Sequence, residues 1–475
     1  MEVSPANHPP RLRRLSAGAS AVASATDDPV CLSEPSRLVA VSGWDLAIIA
    51  AVLVGYGAVS RRLRGTVITA AMVFITAGYL LGTEGLDVLR GAIDAESVRT
   101  LAEATLALVL FSDAAGLDTR ALARESSVPV RLLGIGLPLT IALGAAIAVP
   151  LFPGLGVFEA LLLAVLLAPT DAALGQAVVS DRRLPSPIRQ GLNVESGLND
   201  GVCVPLLFAT LAMAELDQRP TFDGHILVDL LEEVGVATVV GGVVAIGIAV
   251  LAVRATRRGW MEGHWQQVVP LATAAIAYVA ATKLGGSGFI ACFVAGLLYG
   301  RVLGEEAHAT TALSEELGEL LSAATFLIFG AAVIGAAITR LDLATVVYAG
   351  LSLTIVRMIP VAAALLGSGA RGPTIAFAGW FGPRGLATIV FMLTIVDQSG
   401  LTGTPRIVQV ATFTVLLSVF AHGVTASPLT ARYLAWHAER AEPLTMEAAE
   451  VPTLVRPKGL ARRSPVTPPP EGPPR

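Results

Sequence analysis

The chain has 475 residues, of which 54% are hydrophobic and only 15% are charged, and its mean hydropathy is +0.69. Because a soluble domain usually carries about 25% charged residues, this composition excludes an ordinary soluble protein and predicts a polytopic membrane protein. The formal net charge of −4 comes without a basic tract, which gives no indication of nucleic-acid binding, and three dispersed cysteines are too few for a disulfide framework.

Both ends of the chain differ in composition from its middle. Residues 1–38 are polar, with many small residues, prolines and arginines, so we predict a disordered N-terminal tail. Residues 437–475 are first charged and then proline-rich, and we predict a short C-terminal tail. Residues 39–436 are predicted to form an all-α transmembrane domain, because a helix needs about 20 largely apolar residues to cross a bilayer. About thirteen stretches meet this requirement: 41–60, 66–83, 97–115, 129–151, 157–180, 187–214, 225–254, 264–283, 286–303, 315–338, 342–366, 373–397 and 405–430.

Positive side chains are unevenly distributed among the loops between these segments. They cluster after odd-numbered segments, as at Arg61 and Arg62 after the first and at Arg257 and Arg258 after the seventh. Because cytoplasmic loops carry an excess of arginine and lysine, we predict that the N-terminus lies outside the cell and the C-terminal tail in the cytoplasm.

Two of the predicted segments are interrupted by a proline, with a charged residue close behind it. In the fifth, Pro169 precedes Thr170 and Asp171, and in the twelfth, Pro383 precedes Arg384. Proline within a helix removes a backbone hydrogen bond, and an offset of seven segments makes the two helices run in opposite directions. Such a pair indicates an inverted repeat whose interrupted helices cross near the bilayer midplane and form a transporter's binding site. The charges of Asp171 and Arg384 could offset the partial charges of the broken helix ends.

The sixth segment carries a polar stretch within an otherwise apolar helix. At about 100° per residue, Glu195 and Asn199 lie on one line of this helix, and Ser196 and Asp200 lie on the next. An ionisable residue at membrane depth costs roughly 2.5–3.5 kcal/mol on insertion scales, which favours a functional role. We expect Glu195 to pair with Arg384, with Asn199 held between them. Asp200 is then the acid without a fixed cationic partner, at which a cation and a proton would compete.

Three of the other charged residues within the segments are singled out. Asp113 ends the third segment, where it either lines a cavity or lies at the membrane interface, and the same alternatives apply to Glu103. Arg357 lies in the eleventh segment and is interpreted as structural.

Two functions of other classes stay open at this point. The run Gly-Gly-Ser-Gly at 285–288 matches the Gly-x-Ser-Gly form of intramembrane serine proteases, in which Ser287 would be the nucleophile, although His308, His422 and His437 have no evident place as its base. Glycines in such a run are also typical of close helix packing. The other alternative is a passive channel, which would carry current where a one-for-one exchanger would not.

Three short stretches together resemble one known family. They are Ala-Pro-Thr-Asp at 168–171, Val-Glu-Ser-Gly-Leu-Asn-Asp-Gly at 194–201 and Phe-Gly-Pro-Arg-Gly at 381–385. This combination resembles the monovalent cation:proton antiporter superfamily, and within it the electroneutral sodium/proton exchanger (NhaP-type) branch. The stretches at 286–291 and 326–330 give weaker support, and the resemblance covers about residues 41–430.

The resemblance implies a role for each polar residue of the broken and sixth segments. It implies that Asp200 binds the ion and the proton, that its neighbours in the site are Thr170, Asp171 and Ser196, and that the supporting network is Glu195, Asn199 and Arg384. The transported cation is the only metal implied, at Asp200 and Asp171. Asparagine rather than aspartate before Asp200 resembles the electroneutral, one-for-one branch. Asp113 lies where many members carry a glutamate, so it is an auxiliary candidate.

The function that the resemblance implies is a secondary active antiporter, not an enzyme. It would exchange sodium or lithium, with potassium as a further candidate, for protons by alternating access, and so serve sodium transport and pH homeostasis. The expected partners are the cation, the proton, the lipid bilayer and a second copy in a homodimer, with no cofactor and no nucleic acid. The expected location is the plasma (inner) membrane, crossed many times.

Overall fold

The structure, a computed structural model, describes residues 43–63, 66–89, 95–117, 127–171, 174–175, 178, 181, 183–218, 226–398 and 400–439. Within these ranges the chain is almost entirely helical and contains no extended strand. The predicted N-terminal tail lies outside the described residues, as does the predicted C-terminal tail from residue 440 onward. The domain boundaries at 38 and 436 therefore stay predictions.

Each of the thirteen predicted segments coincides with helix in the described part of the chain. The helices are α1 Gly43–Leu63, α2 Ala70–Leu81, α3 Ala95–Gly116, α4 Ser127–Leu151, α5 Val157–Leu166, α6 Ser186–Asp217, α7 Ile226–Arg257, α8 Gly263–Lys283, α9 Gly288–Leu303, α10 Ala307–Ala332, α11 Leu343–Ala364, α12a Gly372–Trp380, α12b Leu386–Gln398 and α13 Thr404–Ala438. Of these, α1, α4, α6, α7, α11 and α13 are long and apolar enough to cross a bilayer, and α2, α5, α9 and α12b are shorter apolar helices. The predicted all-α polytopic fold class is confirmed.

The helices pack in two groups. In the first group, α4, α5 and α6 contact one another and also contact α11, α12a, α12b and α13. In the second, α2, α3, α7, α8, α9 and α10 pack together, and α1 contacts α2 and α10. The two groups meet where α6 contacts α3, α7 and α9, where α12b contacts α3 and α10, and where α13 contacts α2.

Close packing of α9 against α3 fixes one side of this boundary. Gly296 and Gly300 lie one turn apart on α9, and a Cβ atom at either position would overlap the backbone carbonyl oxygen of Phe111 or of Ala115, respectively. Small residues at this spacing let two membrane helices approach closely. Because Asp113 lies between the two contacted residues in the sequence, on the opposite side of α3, this packing directs it away from α9 and towards α6.

Both interruptions predicted from proline are present. Helix α5 ends at Leu166, three residues before Pro169, and residues 168–171 are not helical. The twelfth segment is helical up to Trp380 and again from Leu386, and residues 381–385 between them are not. The predicted continuation of the fifth segment lies mostly outside the described residues, at 172–173, 176–177 and 179–180.

Substituting Gly296 with valine tests the packing of α9 on α3. The added side chain would overlap backbone rather than a movable side chain, and overpacking of this kind costs typically 1–3 kcal/mol. We expect Gly296→Val to lower the thermal midpoint of the detergent-solubilised protein. Gly247→Val on α7 is the matched control, because nothing lies within 4 Å of a Cβ there. Equal losses in both variants would contradict the packing described.

Candidate ion-binding site

The two non-helical stretches touch each other through their backbones. The Asp171 amide donates a hydrogen bond of 2.8 Å to the Pro383 carbonyl oxygen. A Cβ atom at Gly385 would overlap the Asp171 carboxylate, so glycine is needed there for the approach. The breaks of the fifth and twelfth segments therefore meet, as predicted for interrupted helices that cross.

The carboxylate of Asp171 caps a helix that belongs to the other break. Its Oδ2 accepts a hydrogen bond of 2.9 Å from the Leu386 amide, in the first turn of α12b, and its Oδ1 accepts one of 3.3 Å from Leu174. The first amides of a helix have no partner within the helix and carry partial positive charge. Asp171 thus provides both an acceptor and a negative charge to α12b.

Arg384 stabilises the break of the fifth segment (the first break) in a corresponding way. Its guanidinium is fully buried, and Nη1 donates to the carbonyl oxygens of Ala168 at 2.6 Å and Pro169 at 3.0 Å. These carbonyls follow the end of α5, where the helix no longer supplies donors to them. Each break therefore supplies the charge that stabilises the other, as predicted for Asp171 and Arg384.

The predicted ion pair between Glu195 and Arg384 is wrong. Glu195, 2% exposed, binds Arg357 of α11 through two hydrogen bonds of 2.5 and 2.8 Å. Arg357 passes Gly382, where a Cβ atom would lie 2.5 Å from its Nε, whereas Arg384 is turned towards the carbonyls of the first break. An arginine in an apolar segment requires a partner, so the sequence indicated that Glu195 pairs with such an arginine. It did not indicate whether that arginine is Arg357 or Arg384.

Asn199 contacts the first break rather than lying between Glu195 and Arg384, which corrects a second prediction. Its Nδ2 donates a hydrogen bond of 2.6 Å to Thr170 Oγ1, and Thr170 Oγ1 lies 3.0 Å from Ser196 Oγ. All three side chains are buried. These contacts fasten α6 to the non-helical residues after α5 and bring two hydroxyl oxygens together.

Asp200 lies beside this group without a hydrogen-bonding or ionic partner among the described residues. It is 8% exposed, and its Oδ1 is buried with no hydrogen-bond partner. Asp171, Asp113 and Arg384 are close enough to act on it electrostatically. A carboxylate whose oxygen lacks a protein donor at this depth retains capacity for a ligand.

Asp113 faces the same region from α3. A Cβ atom at Gly197 of α6 would lie 3.6 Å from the Asp113 Cβ, and the side chain is half-buried. Of the two alternatives for Asp113, this placement favours the cavity over the membrane interface. Glu103 lies elsewhere, since Arg99 binds it at 3.0 Å and the Tyr278 hydroxyl donates to it at 2.9 Å.

Ser287, the nucleophile of the protease alternative, has a structural contact. Its hydroxyl caps the first turn of α9. Among its candidate bases, His422 bonds the Trp380 carbonyl and His437 lies on α13, while the His308 side chain lies outside the described residues. The described histidines therefore give the protease alternative no support.

The buried pair of Glu195 and Arg357 is open to a direct stability test. Removing one member of a buried ion pair leaves the other charge uncompensated and costs roughly 3–5 kcal/mol. We expect Arg357→Met to lower the thermal midpoint in detergent strongly and Glu195→Leu/Arg357→Met to recover a large part of the loss. Arg183→Met, which breaks the Asp181 pair at a side chain 76% exposed, should change little. A double variant no more stable than Arg357→Met would contradict the pairing.

The chain is similar to known proteins over most of its length. The family model described as "Sodium/hydrogen exchanger, transmembrane" matches residues 48–432. The K(+)/H(+) antiporter NhaP2 of Shewanella baltica is 25% identical over 401 residues, which cover 82% of this chain and 66% of that protein. The Na(+)/H(+) antiporter NhaP of Pseudomonas aeruginosa is 26% identical over 291 residues, covering 58% and 66%. The matched region is thus just under two thirds of the length of these relatives.

A solved structure shares the fold. It is the sodium proton antiporter MjNhaP1 from Methanocaldococcus jannaschii at pH 8, with a TM-score of 0.67 and 20% identity over 82% of this chain and 98% of that one. The family match spans four fifths of the chain, and the membrane fold agrees with it. The chain is a multi-pass membrane protein that belongs to the transmembrane sodium/hydrogen exchanger family.

Proposed function

We propose that the chain is a secondary active antiporter that exchanges a monovalent cation for a proton at Asp200. The observation that carries the proposal is the buried Asp200 oxygen, which has no donor among the described residues, set beside the crossed breaks of two membrane helices. The other charged groups at the crossing have partners in the protein, namely Glu195 with Arg357, Arg384 with two carbonyls, and Asp171 with two amides.

The residues around Asp200 suit a hard cation. Alkali cations bind oxygen atoms, as other hard cations do, and we propose that Asp200 and Asp171 provide carboxylate oxygens while Thr170 and Ser196 provide hydroxyl oxygens. Asn199 donates to Thr170 and so fixes the orientation of that hydroxyl. In this proposal Glu195, Asn199 and Arg384 form the supporting network, and Asp113 is an auxiliary carboxylate that the cation passes.

The exchange cycle follows from the chemistry of one carboxylate. Ionised Asp200 binds the cation, and protonated Asp200 does not, because the proton occupies the same oxygens. If only the loaded forms convert between inward and outward states, each cation crosses in exchange for a proton and no net charge moves. Asn199 beside it cannot ionise, which agrees with this electroneutral stoichiometry.

Alternating access would use the boundary between the two helix groups. We propose that the group of α4–α6 and α11–α13 carries the site and moves against the group that contains α3. An ion pair between Arg99 of α3 and Asp397 of α12b joins the groups at one end. With the predicted orientation this end is external, and the pair would have to separate when the site opens outward.

The transported cation, the oligomeric state and the membrane location are proposed from the relatives as well as from the site. Relatives are named as K(+)/H(+) and Na(+)/H(+) antiporters, so potassium and sodium are the first candidates, with lithium as a further one. We propose a homodimer in the plasma (inner) membrane that contributes to pH homeostasis, with the N-terminus outside and the C-terminus in the cytoplasm.

Replacing Asp200 by asparagine tests the proposal. In vesicles loaded with a pH-sensitive dye, Asp200→Asn should abolish the internal pH change that sodium or potassium addition causes, because the amide can neither release a proton nor neutralise the cation. Glu262→Gln is the control, since Glu262 precedes α8 and its side chain is 79% exposed, and it should retain exchange.

Two results would overturn the antiporter proposal. Exchange retained in Asp200→Asn would remove Asp200 from its role. Transport that changes with an imposed membrane potential and carries current would favour the channel alternative over electroneutral exchange.

A further inference from the structure

A row of polar side chains on α13 docks onto the break of the twelfth segment. Ser418, His422 and Thr425 lie at i, i+4 and i+7, and therefore on one face of the helix. His422 is 2% exposed and its ring lies against the Trp380 indole, with centroids 5.0 Å apart. The proposed exchange mechanism does not use this buried histidine.

The row binds both ends of the non-helical stretch 381–385. His422 Nε2 lies 2.9 Å from the carbonyl oxygen of Trp380, the last residue of α12a. At the other end, the Arg384 amide donates a hydrogen bond of 2.7 Å to Ser418 Oγ. Backbone groups freed by a helix break in a membrane must find such partners, and α13 provides them here.

The partners of the ring are compatible with a neutral form that carries its proton on Nε2. In that form His422 Nε2 donates to the Trp380 carbonyl oxygen, which can only accept. Ser418 Oγ accepts from the Arg384 amide, and its own hydroxyl proton is then available for His422 Nδ1, 3.2 Å away. When the neutral ring carries its proton on Nε2, each donor in the series of hydrogen bonds from the Arg384 amide through Ser418 and His422 to the Trp380 carbonyl meets an acceptor.

The surrounding charges agree with a neutral ring. The charged groups that act on His422 are Arg384 of the break and Arg357 of α11, both cationic, and Glu195 is already bound to Arg357. Nδ1 also lies 2.9 Å from the Ser418 carbonyl oxygen, and a ring that carried protons on both nitrogens would add a third positive charge to this region.

The stretch held by α13 is the one that builds the candidate ion site. Between the two fixed ends lie the Pro383 carbonyl, which binds the Asp171 amide, and Arg384, which binds the Ala168 carbonyl. We propose that His422, as the neutral Nε2–H tautomer, is a positioning residue that sets the register of this break and thereby the cation affinity of the site. This inference rests on the proposed antiport function.

The test is a cation titration of exchange in vesicles at several pH values. His422→Ala removes the donor to Trp380 and should raise the cation concentration for half-maximal rate by about threefold to tenfold, the range expected for one lost hydrogen bond, with a smaller effect on the maximal rate. His422→Gln places an amide donor where Nε2 was, so it should restore the half-maximal concentration to within about twofold and reproduce the pH profile of the unmodified protein.

Thr425→Val is the matched control on the same face of α13. Thr425 accepts a hydrogen bond from the Trp380 indole and makes none with the backbone of the break, so the half-maximal concentration should stay within about twofold. An unchanged half-maximal concentration in His422→Ala would overturn the inference. So would a glutamine variant as impaired as alanine, or one with a shifted pH profile, which would indicate titration of the ring.

A second variant and a binding measurement complete the test of His422. If His422→Ala does not fold, Ser418→Ala interrupts the same chain from the Arg384 end and should raise the half-maximal concentration similarly, and an unchanged value there would overturn the inference. Cation-dependent thermal stabilisation in detergent reports binding without transport. If the unmodified protein shows neither stabilisation nor exchange, the proposed function itself fails. If it shows both and His422→Ala matches it, only the role of His422 fails.

Discussion

The candidate site depends on one arrangement: each of the two broken segments supplies the charged side chain that stabilises the other. In a bilayer a backbone group without a partner costs several kcal/mol, and two breaks expose amides and carbonyls at the same place. Asp171 satisfies amides of α12b, while Arg384 satisfies carbonyls after α5. Each break thus supplies partners to the backbone of the other, and the non-helical residues after α5 place Thr170 beside α6.

The polar residues of α6 differ in how they are held. Glu195 is held by Arg357, which ties α6 to α11 beside the break of the twelfth segment. Asn199 fastens α6 to Thr170 through a neutral hydrogen bond. Asp200, one position further along the helix, has no such bond from the described residues to its buried oxygen. A single unengaged carboxylate surrounded by fixed groups is the simplest arrangement in which a cation and a proton exclude each other.

The sequence was sufficient for the parts of the site that depend on local chemistry. Pro169 and Pro383, each followed by a charged residue, predicted the breaks, because proline within a helix removes a backbone hydrogen bond, and helical periodicity placed Asp200 beside the polar row. The partner of Glu195 could not be predicted in this way, because it depends on which arginine the fold brings next to it. Arg357 and Arg384 both lie in apolar segments, and only the folded structure shows that Arg357 reaches Glu195 while Arg384 reaches the carbonyls after α5. The contact of His422 with the twelfth segment was not predicted either, because it depends on how the fold places α13. The spacing of His422 from Ser418 and Thr425, which puts all three on one helix face, is a sequence signal for such a contact.

Proton release on cation binding tests the central claim most directly. Calorimetric titration of the detergent-solubilised protein in buffers of different ionisation enthalpy counts the protons released for each cation bound. If cation and proton compete for Asp200, the unmodified protein should release close to one proton per cation at a pH well below that at which Asp200 titrates, and about half a proton at that pH, whereas Asp200→Asn should release none. Cation binding without proton release, or release that persists in Asp200→Asn, would contradict the account.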